Sequence, residues 1–140
     1  MWPVRELVPH REPMILIDRV QDAGEDFVVA EVRIKAGIPF FEAEVGVPAW
    51  VGIEYMGQSI AALAGVRAKR AERPIRSGFL AGCRRYVCSV PAFKPGSQLT
   101  IEVREVSGGD PLSTFAAVIR DDGVLAEAAI SVYLQPEAEP

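Results

Sequence analysis

Histidine and cysteine are nearly absent from this 140-residue chain: His10 stands alone, and Cys83 and Cys88 are the only thiols. That scarcity excludes a zinc-ligand pattern, which needs His and Cys in spaced pairs. The two cysteines are five apart on one predicted strand, so their side chains point to opposite faces and a bridge between them is not expected. A reducing cytoplasm fits. A basic excess is lacking too, since the net charge is −4, and duplex nucleic acid usually calls for a basic domain. The opening MWPVRELVPHREP has no apolar run after a basic start, so no signal peptide is expected. The most apolar stretch contains Glu54 and Gln58, which argues against a membrane span. Internal repeats and low-complexity segments are missing as well.

What is present is ordinary for one globular domain: 49% hydrophobic and 24% charged residues, enough for a real core. Residues 1–140 read as a single domain, with a loose polar tail at 136–140. The charge is uneven. Between Arg67 and Arg85, seven basic residues (Arg67, Lys69, Arg70, Arg73, Arg76, Arg84, Arg85) stand against Glu72 alone, a run suited to a small anionic ligand or an acidic protein, or equally to a solvated helix end.

The chain is organised around residues 48–70. Trp50, Ile53, Met56, Ile60, Leu63 and Val66 recur at three- and four-residue spacing, with glycine and alanine filling most other positions, so the segment reads as one long helix, apolar nearly all round. Such a helix is buried on most sides, here by a sheet curled around it. Glu54 and Gln58 lie one turn apart on one face. A buried carboxylate is costly unless hydrogen-bonded or facing a cavity, so Glu54 is expected to be either chemical or a hydrogen-bonded core residue.

Everything else reads as short strands. Residues 2–7 suggest a helical turn, and Pro9 and Pro13 bracket the His10 loop. Residues 14–20 and 26–35 form a predicted hairpin, and 37–47 connect to the helix. After it come predicted strands at 77–90, 98–107, 112–120 and 124–134, read as a meander of four. An antiparallel sheet wrapped around one central helix, an α+β arrangement, is the hotdog fold.

Three motifs carry a family resemblance: VPHREPMILIDRV at 8–20, PAWVGIEYMGQ at 48–58 and GFLAGCRRYVCSVPAFKPGSQLTIEV at 78–103. Together they resemble the FabZ-type 3-hydroxyacyl-acyl-carrier-protein dehydratases, most closely the divergent ApeP-like branch associated with aryl polyene clusters. The resemblance implies a hydro-lyase of fatty acid or polyene biosynthesis acting on thioesters, with no cofactor beyond the phosphopantetheine or coenzyme A that carries the substrate. It implies Glu54 as acid and Gln58 as its orienting partner. It places the thioester carbonyl at the helix start, near the amides of Ala49 and Trp50, where unpaired N–H groups and the helix dipole stabilise a developing enolate. Gly78 and Phe79 are further expected substrate-binding residues.

Two departures stand out. The family's loop histidine, fourteen residues before the helix carboxylate, falls here on Phe40, and its helix-opening glycine is Ala49. His10 is the remaining candidate base, since imidazole titrates near neutral pH; the other reading is a loop histidine that braces the sheet. Three functions stay open: a dehydratase using Glu54 with His10, an acyl thioesterase using Glu54 alone, and a non-catalytic partner subunit of an active hotdog homologue. The expected partners are an acyl-carrier protein, docked by the basic run, and a second hotdog chain, identical or homologous, joined along the strand at 77–90.

Overall fold

The computed structural model describes residues 1–75, 78–109 and 112–134. In chain order, a 3₁₀ turn at Val4–Glu6 precedes β1 (Arg19–Ala23), β2 (Phe27–Arg33), β3 (Val47–Pro48), α1 (Val51–Arg70), β4 (Gly78–Cys88), β5 (Ala92–Phe93), β6 (Gln98–Ser107), β7 (Leu112–Arg120) and β8 (Val124–Leu134). Six strands form one antiparallel sheet in the order β1-β2-β6-β7-β8-β4, and β3 pairs with β5 apart from it.

Period-two alternation sends Val28, Ala30 and Val32 of β2 and Leu99, Ile101 and Val103 of β6 to the inner face, all essentially inaccessible, as expected for a sheet with one buried side. Against that face lie Tyr55, Met56, Ser59, Ala62, Leu63 and Val66 of α1. The hotdog architecture is therefore present. Gly65 lets the N-terminal segment cross the helix at close range, because a Cβ there would overlap the Leu7 carbonyl.

Four expectations are corrected. The strand predicted at 14–20 begins only at Arg19, because the backbone amides of Leu16 and Ile17 bond to the Gln58 side chain instead of a neighbouring strand. The helix starts at Val51 rather than Pro48, since Pro48 is used in β3 against Ala92. The meander contains β6, β7 and β8 only; β4 crosses to the far side of β8 and becomes a sheet edge. Two register shifts, at Leu80/Gly82 and Cys83/Arg85, break the alternation of β4, so the argument that placed Cys83 and Cys88 on opposite faces fails; both are free thiols. The tail at 136–140 lies outside the described residues.

Candidate functional site

The polar groups gather where the N-terminal segment crosses the first turns of α1. Leu7 and Val8 anchor that segment in the core, and Arg11 Nη1 donates to the carbonyls of Pro9 and His10 at 3.2 and 3.1 Å, bracing the loop that holds the histidine. Gln58, only 3% exposed, ties the far end down. Its Oε1 accepts from Leu16 N at 2.6 Å and Ile17 N at 3.0 Å, and its Nε2 donates to Met14 O at 2.9 Å. Every one of these bonds goes to the N-terminal segment, so Gln58 holds that segment and makes no bond to Glu54.

His10 and Glu54 are brought together. The imidazole is partly buried, and burial lowers its pKa below the ordinary 6.5, opposed by the nearby Glu54 carboxylate, which raises it. Burial wins, and the neutral ring prevails near pH 7, the form a general base requires. Its Nδ1 is buried without a hydrogen-bond partner among the described residues, so this nitrogen is uncommitted within the chain.

Glu54 itself departs from expectation: it is exposed. The helix is not covered on all sides, because Ile53, Gly57, Ala61 and Ala64 are only half-buried and a Cβ on Gly57 would meet nothing within 4 Å. Trp50, 56% exposed, begins this open stripe. Phe40 packs edge-on against it, with ring centroids 5.3 Å apart. Phe40 has φ +68°, a left-handed conformation unusual for a bulky residue, of a kind that clusters at functional sites.

The helix start is built by residues the sequence did not single out. Ala49 N donates to Pro91 O at 3.0 Å, and the Tyr86 hydroxyl donates to Ala49 O at 2.6 Å. Gly52 makes room for that hydroxyl, since a Cβ there would collide with it. The expected donor Ala49 is thus already paired. Gly52 N and Ile53 N bond back to Ala49 O and Trp50 O, leaving the amides of Trp50 and Val51 without a carbonyl partner among the described residues, as helix geometry dictates. These point along the positive end of the dipole. A carboxylate, a partly buried imidazole and two unpaired amides in one region can move protons and stabilise an oxyanion.

Gly78 and Phe79 lie in β4, paired with Leu134 and Tyr133; their side chains, and those of Arg76 and Arg84, lie outside the description. Elsewhere in the basic run, Arg67 bonds to Glu105 and the Glu25 carbonyl, Lys69 faces Glu6 at 3.7 Å, and Arg70 donates to Ala23 O and Gly24 O. These three cations fasten the helix end to its own chain. Among the described residues, no cluster of three or more His, Cys, Asp or Glu can hold a metal ion, and no helix is long and apolar enough to cross a membrane.

Sheet and central helix define a hotdog protein. The family model for the ApeP dehydratase matches residues 2–140, and the chain belongs to this ApeP-like family. It is 32% identical over 132 residues to the 3-hydroxyacyl-acyl-carrier-protein dehydratase FabZ of Streptococcus agalactiae, covering 93% of each chain. A Streptococcus pneumoniae FabZ is 30% identical over the same share. Among solved structures, a chain of the dehydratase heterocomplex ApeI:P from Xenorhabdus doucetiae superposes with a TM-score of 0.92 at 28% identity, over 98% of this chain and 93% of that one. The AziG protein of S. sahachiroi, at 15% identity over 94% of this chain and 99% of that one with a TM-score of 0.69, shares the fold.

Proposed function

We propose that this protein acts in the loss of water from 3-hydroxyacyl thioesters carried on an acyl-carrier protein, as one half of a hotdog pair whose second chain closes over Glu54. The observation that carries this reading is the position of Glu54: at the start of α1, beside His10, on a helix stripe that its own sheet leaves open. An acid that protonates a departing hydroxyl works best out of water, where burial raises its pKa. The single chain leaves Glu54 wet. The edge strand β4 offers unpaired backbone groups to a second sheet, and the relative from Xenorhabdus is a heterocomplex.

The elimination assigns a task to each group. A base removes the proton at Cα, the Cα–Cβ double bond forms as the Cβ–O bond breaks, and Glu54 gives its proton to the hydroxyl that leaves as water. The amides of Trp50 and Val51 polarise the thioester carbonyl while charge builds on its oxygen. The pantetheine arm comes with the substrate, and the protein adds no cofactor. The base is supplied by the covering chain. A second reading, in which His10 is the base and the chain is self-sufficient, is favoured by a buried Nδ1 that has no hydrogen-bond partner among the described residues, on a ring that feels the Glu54 charge.

Mass spectrometry of carrier-bound 3-hydroxyacyl chains tests both. Incubation with the pure protein, and with the protein plus each hotdog homologue expressed alongside it, separates loss of water from loss of the whole acyl group. Dehydration that needs a homologue and disappears in Glu54→Gln supports the paired reading. Dehydration by the pure protein that falls a hundredfold or more in His10→Ala supports the second. Release of the acyl group instead makes the protein a thioesterase and overturns both.

A further inference from the structure

Tyr86 reaches the helix start because β4 is irregular. Residues three apart on a regular strand face opposite ways, but the register shift between Cys83 and Arg85 lets Cys83, Tyr86 and Cys88 pair with Ile130, Ala128 and Ala126. Those partners alternate along one side of β8, where Ala126 and Ile130 are buried, so all three β4 residues turn inward. From there the Tyr86 hydroxyl donates to Ala49 O at 2.6 Å, in a space that stays open because Gly52 lacks a Cβ. Burial, and then the neighbouring Cys88, hold the phenol well above its ordinary pKa. It therefore stays protonated, and a donor, near neutral pH.

The carbonyl of Ala49 and the amide of Trp50 belong to one peptide unit. In a planar trans peptide the C=O and N–H point in opposite directions, so whatever fixes the oxygen aims the proton. Ala49 O accepts from the Tyr86 hydroxyl and from Gly52 N, the latter at 3.0 Å. Gly52 N belongs to the helix and moves with it; the Tyr86 bond is the one that ties this oxygen to the sheet. Two bonds to the oxygen also polarise the unit and make its N–H a stronger donor. That N–H is the Trp50 amide, one of the two at the helix start without a carbonyl partner among the described residues, and Glu54 follows one turn later on α1. We infer that Tyr86 is a positioning residue for the dehydration, which by holding the Ala49 carbonyl aims the Trp50 amide that polarises the thioester; the inference rests on the acyl-thioester reading above.

The test measures single-turnover dehydration of a carrier-bound 3-hydroxyacyl chain by the full-length protein at graded protein concentration, with its hotdog homologue added if wild type needs one. Tyr86→Phe keeps the ring, and Ala49 O keeps Gly52 N, so this variant is expected to fold. Charge builds on the thioester oxygen only as the reaction proceeds, so the maximal rate should fall roughly tenfold or more while the half-saturating concentration stays within about twofold. Val103→Ala controls for destabilisation: Val103 is fully buried in β6, two residues from the Glu105 that bonds to Arg67 near the other end of α1, and its variant should keep the wild-type rate. An unchanged rate in Tyr86→Phe, a change confined to half-saturation, or equal losses of rate in Tyr86→Phe and Val103→Ala overturns the inference and leaves the functional reading intact. Wild type that dehydrates nothing, alone or with any homologue, overturns both.

Discussion

Replacing Gln58 by leucine tests the device that sets the distance between His10 and Glu54. The substitution keeps the volume near that of glutamine but removes an acceptor for two amides and a donor to one carbonyl. Leu16 is 8% exposed and Ile17 2%, so neither amide reaches water without movement, whereas Met14, 45% exposed, can turn its carbonyl to solvent. Two orphaned buried donors cost about 1–3 kcal/mol each, or about 2–4 kcal/mol after partial relaxation. That is enough to release the segment locally rather than unfold the domain. Native-state hydrogen exchange should show the Leu16 and Ile17 amides losing that much protection while the amides of β6 and β7 keep theirs. The single histidine gives an independent readout by NMR: as the loop leaves its burial, the His10 pKa should climb back toward 6.5. Unchanged protection of Leu16 and Ile17, together with an unchanged His10 titration, would refute the reasoning.

The remaining predictions concern packing and pH. Gly65→Ala should destabilise by about 1–3 kcal/mol in chemical denaturation, because the new methyl meets the Leu7 backbone and no flexible side chain. Tyr55 is 1% exposed with a hydroxyl that lacks a partner among the described residues, and burial pushes its pKa up to about 12; Tyr55→Phe should therefore be neutral or slightly stabilising in a thermal melt, and a clear loss of stability would mean the hydroxyl is satisfied. The His10 pKa is depressed on folding, so the folded state loses stability as pH falls from 6.5 through the lower folded value, where the unfolded chain takes up the proton first. His10→Asn should flatten that part of the stability-against-pH curve.

How far the sequence could be read follows from what each signal depends on. The helix and strands β6 to β8 were legible because their periodicity reports a single buried face, and one face is what each of them has. The start of β1 was not, since residues 14–17 are as apolar as a strand but Leu16 and Ile17 spend their amides on Gln58, a long-range bond with no local signature. Glu54 was legible as the odd carboxylate in an apolar helix. Its exposure was not, because glycine and alanine on the open stripe read the same whether a helix faces its own sheet or empty space. Tyr86 and Pro91 brace the helix start from β4 and the turn after it; neither residue type marks itself in sequence, although Gly52 inside a helix was a hint of close approach.

The pairing of an exposed Glu54 with a partly buried His10 has an electrostatic consequence under the proposed assembly. In the single chain, water around the carboxylate weakens its pull on the imidazole, and burial decides the His10 pKa. A second chain laid over the open stripe would remove that water, raising the effective strength of every charge interaction there. Two opposing effects then act on each group: desolvation favours the neutral acid and neutral base, while mutual attraction favours the carboxylate–imidazolium pair. The winner is readable from the histidine's titration with and without the covering chain. A further drop in the His10 pKa on assembly would mark desolvation as dominant and exclude the ion pair, as the assigned role of Glu54 requires. A rise well above 6.5 would mean that the two groups have formed an ion pair, in which Glu54 holds no proton to donate, and the assigned role of Glu54 as the acid would fall.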